Sequence, residues 1–129
     1  MEEIGERLMS SILTDIRTMI GPSSTYEHFD TDLITNINAA FAVLSYDLGV
    51  GPENGFSITG TSEEWGDFIS DDEALVGLVK TFIYMRTKLI FDPPQHGALL
   101  DSYKSLLDET TWRLNEIVET RKQAELEGN

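Results

Sequence analysis

The run Val79–Pro94, VKTFIYMRTKLIFDPP, constrains this chain more than any other stretch. Leu75, Leu78, Val79, Phe82, Ile83, Leu89 and Ile90 recur at helical intervals and make one wide apolar face. Lys80, Arg86 and Lys88 are interspersed with them. Asp92-Pro93-Pro94 stops the run, because proline disfavours helical backbone at the residue before it. In a chain of 129 residues, a helix this apolar belongs at the centre of a helical core.

The segments around it supply the partners. Ile4, Leu8, Ile12, Ile16 and Ile20 recur every fourth residue, with Met9, Leu13 and Met19 beside them, so a first helix is expected up to Gly21-Pro22. Ser23–His28 reads as a polar connector. A second helix is expected with Asp30 as N-cap and a staple between Phe29 and Ile34. Its buried stripe is Leu33, Ile37, Phe41, Leu44 and Leu48, while Ala39, Ala40 and Ala42 permit close approach of a neighbour. Asn36 and Asn38 flank that stripe. They can bond across a subunit boundary, although solvent-facing or locally satisfied amides are the favoured reading.

Gly49–Ser62, GVGPENGFSITGTS, cannot continue the helix, having four glycines and a proline. Phe56 and Ile58 alternate with polar neighbours, which suits a short extended piece or hairpin arm. A loop this long is either functional or a floppy surface excursion. Thr61-Ser62-Glu63-Glu64 then reads as a capping box for a short helix carrying Trp65, Phe68 and Ile69. Ser70-Asp71-Asp72-Glu73 repeats the signature before the central helix. The last helix is expected to start near Gly97, with Leu100, Tyr103, Leu107, Thr110, Leu114, Ile117 and Arg121 along one near-heptad seam. That seam suits an intramolecular helix pair better than a free coiled coil. From about residue 122 the apolar positions thin out, and a frayed tail or one ordered by a partner is expected. The expected fold is all-α: a single domain over 1–129, with about four main helices, one short helix and the Gly-rich loop 49–62.

Composition narrows what such a bundle can do. A chain of this length buries roughly two-thirds of its unfolded surface, so no disulfide or metal has to hold it. There is no cysteine, which excludes thiolate zinc sites and thiol nucleophiles. Net charge is −14, which disfavours binding to nucleic-acid phosphates and to anionic membranes. The excess of carboxylates either keeps the domain soluble or keeps a surface from sticking to DNA. Met1-Glu2-Glu3 is unlike a signal peptide and no apolar run reaches the roughly 18 residues of a membrane helix, so a cytoplasmic protein is expected.

Chemistry is sparse. No phosphate-binding glycine loop, dinucleotide fingerprint or Gly-x-Ser-x-Gly elbow occurs. His28 and His96 lie in polar connectors and read as surface residues. Two acidic clusters, Glu27/Asp30/Asp32 and Asp71/Asp72/Glu73, lack the ligand series of a calcium loop and read as helix N-termini. No catalytic residue, cofactor or metal site is assigned. Core packing is the favoured role for Trp112, whereas Trp65, bordering the loop, suits the core or an interface anchor equally.

Five strings in order resemble a known family: FDTDLITNINAAFAVL (Phe29–Leu44), LGVGP with GFSI (Leu48–Pro52, Gly55–Ile58), EEWGDFI (Glu63–Ile69), VKTFIYMRTKLIFDPP (Val79–Pro94) and TTWRLN (Thr110–Asn115). They are similar to the head–tail connector, adaptor or head-completion proteins of long-tailed bacteriophages and prophages, from Phe29 to about Val118. The first helix and the residues after Arg121 are not matched by this resemblance.

The resemblance implies a non-catalytic subunit of a ring of about twelve copies, monomeric or assembled when free. Its implied partners are the portal protein above and the next connector, stopper or tail protein below, with DNA passing through unbound. Its implied location is the host cytoplasm during assembly and then the head–tail interface of the virion. The candidate assembly residues are Asn36, Asn38, Val50, Pro52, Phe56, Ile58, Trp65, Arg121 and Lys122. The competing reading is an acidic helical module that regulates or masks a basic protein.

Overall fold

In the computed structural model, residues 8–21 and 29–128 are described. Ile4, the connector 23–28 and His28 lie outside them. The elements are α1 (Ile12–Ile20), α2 (Phe29–Ala42) continued by a π-helical turn (Val43–Asp47), α3 (Trp65–Phe68), α4 (Glu73–Phe91) and α5 (Gly97–Gly128). No strand occurs among the described residues, so the all-α expectation holds.

α4 is the axis of the bundle, as its apolar run requires. Val79, Phe82 and Ile83 are fully buried, with α1, α2 and α5 each packed against the helix. Ile12, Leu13, Ile16 and Ile20 of α1 and Leu33, Ile37, Ala40 and Phe41 of α2 complete the core, together with Leu114 and Val118 of α5. Val76 and Met85 are also buried on α4. Ile90, expected on that face, is exposed in the last turn. Phe91 packs there instead, its ring 4.6 Å from that of Phe29. The stop comes where Pro93 demands it: the Asp92 N–H still reaches the Lys88 carbonyl, and the Lys88 ammonium holds the Asp92 carboxylate at 2.7 Å.

Several boundaries move for local reasons. The expected long first helix breaks at Ser10-Ser11, because tertiary bonds take the backbone there. The Ile12 N–H donates to Glu63 O at 3.1 Å and the Trp65 N–H to Ser10 O at 3.3 Å. The Ser11 hydroxyl then caps α1 by accepting from the Thr14 N–H. Met9, placed beside the apolar face, is consequently exposed. Asp30 lies within the first turn of α2 rather than capping it, and pairs with Arg17 at 2.5 Å.

The two capping boxes each slip toward the C-terminus. Glu64 is the N-cap of α3, with Asp67 accepting its N–H, and Asp72 is the N-cap of α4, accepting from the Leu75 N–H at 3.0 Å. In both stretches consecutive acidic residues offer more than one competent cap, and the tertiary bonds select among them.

α5 begins at Gly97 as expected and pairs with α4 through Leu107, Thr110, Leu114, Ile117 and Val118. Where fraying was expected from about residue 122, the helix continues to Gly128, with every side chain from Arg121 onward exposed. Trp112 is not in the core but 61% exposed. It lies two residues from both Thr110 and Leu114, about 200° around the helix from the seam they occupy. A helix touching the body along one stripe cannot bury that position.

Candidate assembly surface

The loop 49–62 is neither a floppy excursion nor a hairpin arm. The Val50 N–H reaches back to Leu44 O at 2.7 Å, folding the chain over the end of the π-helical turn and burying the Val50 side chain. Gly51 follows with φ +91°, and an added Cβ would strike the Phe68 ring. We expect Gly51→Ala to destabilise the subunit by roughly 1–3 kcal/mol, combining left-handed backbone strain with overpacking. A melting temperature within a degree of wild type would contradict this account.

Further along, Phe56 completes a triad of rings, 4.9 Å from Phe41 and 5.2 Å from Phe68, with Phe41 and Phe68 themselves 4.8 Å apart. Asn38 then holds Ile58 as a strand neighbour would. Its Nδ2 donates to Ile58 O at 2.9 Å and its Oδ1 accepts from the Ile58 N–H at 2.7 Å. Asn36 bonds locally, donating to Asp32 O at 2.9 Å. Both amides are thus satisfied within the subunit. The side-chain pattern of alternating Phe56 and Ile58 is extended, but its ladder partner is a side chain, so no sheet forms.

Glu63 ties off the end of the loop. Its carboxylate accepts from the Thr59 hydroxyl at 2.8 Å, the Thr59 N–H at 2.9 Å and the Gly60 N–H at 3.3 Å. The Thr59 hydroxyl, helped by these backbone donors and opposed by burial, holds Glu63 below its ordinary 4.5. Asp72 is likewise held below 3.8, first by the Leu75 N–H and then by Arg121.

A carboxylate depressed in the folded state stabilises it fully above the unfolded pKa, and the contribution fades as pH falls through the folded value. The loop anchor should therefore weaken below about pH 4.5 and the α4 cap below about 3.8. Glu63→Gln cannot titrate, so its melting temperature should fall less steeply than wild type between pH 5 and 3 (roughly the window of carboxylate titration). Parallel curves would remove Glu63 from this role.

The ordered loop borders two separate grooves. The first lies where Gly49–Pro52 meets the N-terminus of α4 and the C-terminal part of α5, and consists of two depressions of 320 Å³ each. They meet at Gly51, Leu75 and Arg121, and Val50, Val118 and Phe68 supply apolar walls. Arg121, exposed and lining both depressions, pairs with Asp72, and Lys122 lines the first of them. The second groove, of 470 Å³, runs past Asn38, Tyr46, Asn54 and Phe56.

Of the candidate residues, Val50, Pro52, Arg121 and Lys122 converge on the first groove, and Asn38 and Phe56 on the second. Ile58 and Trp65 are buried inside the subunit, and Asn36 joins neither groove. Trp65 donates its Nε1–H to Asp15 at 2.8 Å, under the Lys80 ammonium 5.2 Å above the ring. Tyr46, 72% exposed, was not singled out in the sequence because its neighbours suggested continued helix. Leu75 was visible as a core position, with nothing to mark that it also walls a groove, and Val118 was not placed on the expected seam of the last helix. No cluster of three metal-ligating side chains occurs among the described residues, and none of their helices is long and apolar enough to cross a membrane.

A family model described as phage connector protein matches residues 12–121, which takes in α1 to α4, α5 as far as Arg121, the second groove and most of the first. The chain belongs to the phage connector protein family. The match begins at Ile12, the first residue of α1, and so includes the helix that the sequence resemblance left unmatched. It ends at Arg121, which lines the first groove. No curated protein and no solved structure matches the chain. Membership gives this connector a structural role in phage particles, in a family not known for enzymatic activity.

Proposed function

We propose that this connector is a subunit of the ring that docks beneath the portal, extends the DNA channel and joins head to tail. The observation that carries the reading is the family match across Ile12–Arg121. Two unlike grooves on one subunit support it, because a closed ring needs two different, complementary patches in head-to-tail contact. A ring of about twelve such subunits, each at −14, would form a strongly negative annulus, which suits a channel that DNA must leave without sticking. Assembly takes place in the host cytoplasm and the finished ring sits at the head–tail interface.

Native mass spectrometry and negative-stain microscopy of the purified protein, alone and with its portal, test the proposal. Closed rings on the portal are expected. A protein that stays monomeric and ignores the portal under all conditions would end it. Selective capture of a basic nucleic-acid-binding protein by that monomer would favour a masking module instead.

A further inference from the structure

The described residues leave the outward face of α5 exposed. It carries Leu99 at 46% exposure, Leu106 at 38% and Trp112 at 61%, on the side of the helix away from the first groove. Between them, Ser102 and Ser105 keep the surface low, forming an open depression bounded by Asp101, Leu106 and Glu109. An indole left in water on such a face is the residue type that most often anchors protein contacts.

The charge around it selects the partner. Asp108, Glu109, Asn115 and Glu116 are the helical neighbours of Trp112, three and four residues away. Glu109 is engaged by Arg113 at 3.3 Å, while Asp101, Asp108 and Glu116 form no ion pair. An aromatic face ringed by carboxylates attracts an ammonium or guanidinium group through both ion pairing and the ring quadrupole.

A second copy of this chain is a poor source of that charge. No Lys or Arg occurs between Arg17 and Lys80. Among the described cations only Arg86, over the Phe82 ring, and Lys104, on α5 itself, stand outside ion pairs.

We propose that the Leu99–Glu116 face of α5 docks a basic, amphipathic segment of a different protein, with Trp112 as its anchor. This surface stands whether or not the connector closes into rings, because binding is read on the free subunit. The test uses two synthetic helical peptides, one of Leu and Lys and one with every Lys replaced by Glu, titrated calorimetrically at near-physiological salt. The Leu/Lys peptide should bind and shift the emission of exposed Trp112 to the blue. Trp112→Ala should weaken it at least tenfold, and the double variant Asp108→Asn/Glu116→Gln several-fold, with circular dichroism unchanged. Tyr46→Ala, in the second groove, should leave the affinity unaltered.

Equal affinity for Trp112→Ala and wild type would overturn the proposal, as would equally tight binding of the Leu/Glu peptide. So would a blue shift that grows with protein concentration alone and disappears in Trp112→Ala, since the occupant would then be a second copy.

Discussion

Trp65→Ala should lower stability by about 3–5 kcal/mol, as a buried indole cut to a methyl group typically does. At about 4 °C per kcal/mol, the value between the 100- and 150-residue size classes, the melting temperature would drop by roughly 12–20 °C. The loss has two parts. Trp65 is completely buried at the junction of α1, α3 and α4, so its removal leaves a cavity. It also donates to Asp15 at 2.8 Å, a carboxylate that in addition receives the Ser10 hydroxyl at 2.6 Å and the Lys80 ammonium at 3.3 Å. Trp65→Phe separates the parts, restoring most of the packing while still leaving Asp15 one donor short. A Trp65→Ala protein that melts within about 3 °C of wild type would show that this junction contributes little.

Asn38→Ala should cost about 2–4 kcal/mol, because it strands both the N–H and the carbonyl of Ile58, each at about 1–3 kcal/mol when left without a partner. The effect should be local. Amide exchange at Ile58 and its neighbours should rise toward that of an open loop, while α4 amides stay protected relative to the lower global stability. Releasing this contact loosens the Ile58 end of the loop that borders both grooves, so under the proposed function the variant should also lose portal-dependent ring closure while remaining folded. If amide exchange at Ile58 is unchanged, Asn38 is not what holds the loop. If the loop is freed and rings still form, assembly does not use the loop in its folded position.

Much of this architecture can be read directly along the chain. The α4 run, its stop at Pro93 and the stripes of α1, α2 and α5 follow from apolar period and from proline and glycine chemistry, which act over a few residues. Family membership was visible as ordered short strings, from Phe29 onward. Errors gather where several residues can perform the same local task. Ser70, Asp71 and Asp72 can all cap a helix, and the bonds of Asp72 to the Leu75 N–H and to Arg121 settle which one does. The α1 pattern runs through Ser10-Ser11 without a break, yet the chain breaks there because Glu63 and Trp65, more than fifty residues away, take its backbone groups.

The candidate surface was legible in fragments only. Val50, Pro52, Arg121 and Lys122 stood out separately, for a loop and for a chain end, with nothing to say that they share one groove. Ile58 and Trp65 stood out beside them although the fold buries both. Helix, turn and cap preferences are properties of neighbouring residues and are therefore written in order along the chain. Which face of α5 meets α4, which aromatic ends in water and which loop residues close over the core depend on contacts between distant segments. Those contacts exist only once the helices have packed, and they are what separates buried Trp65 from exposed Trp112.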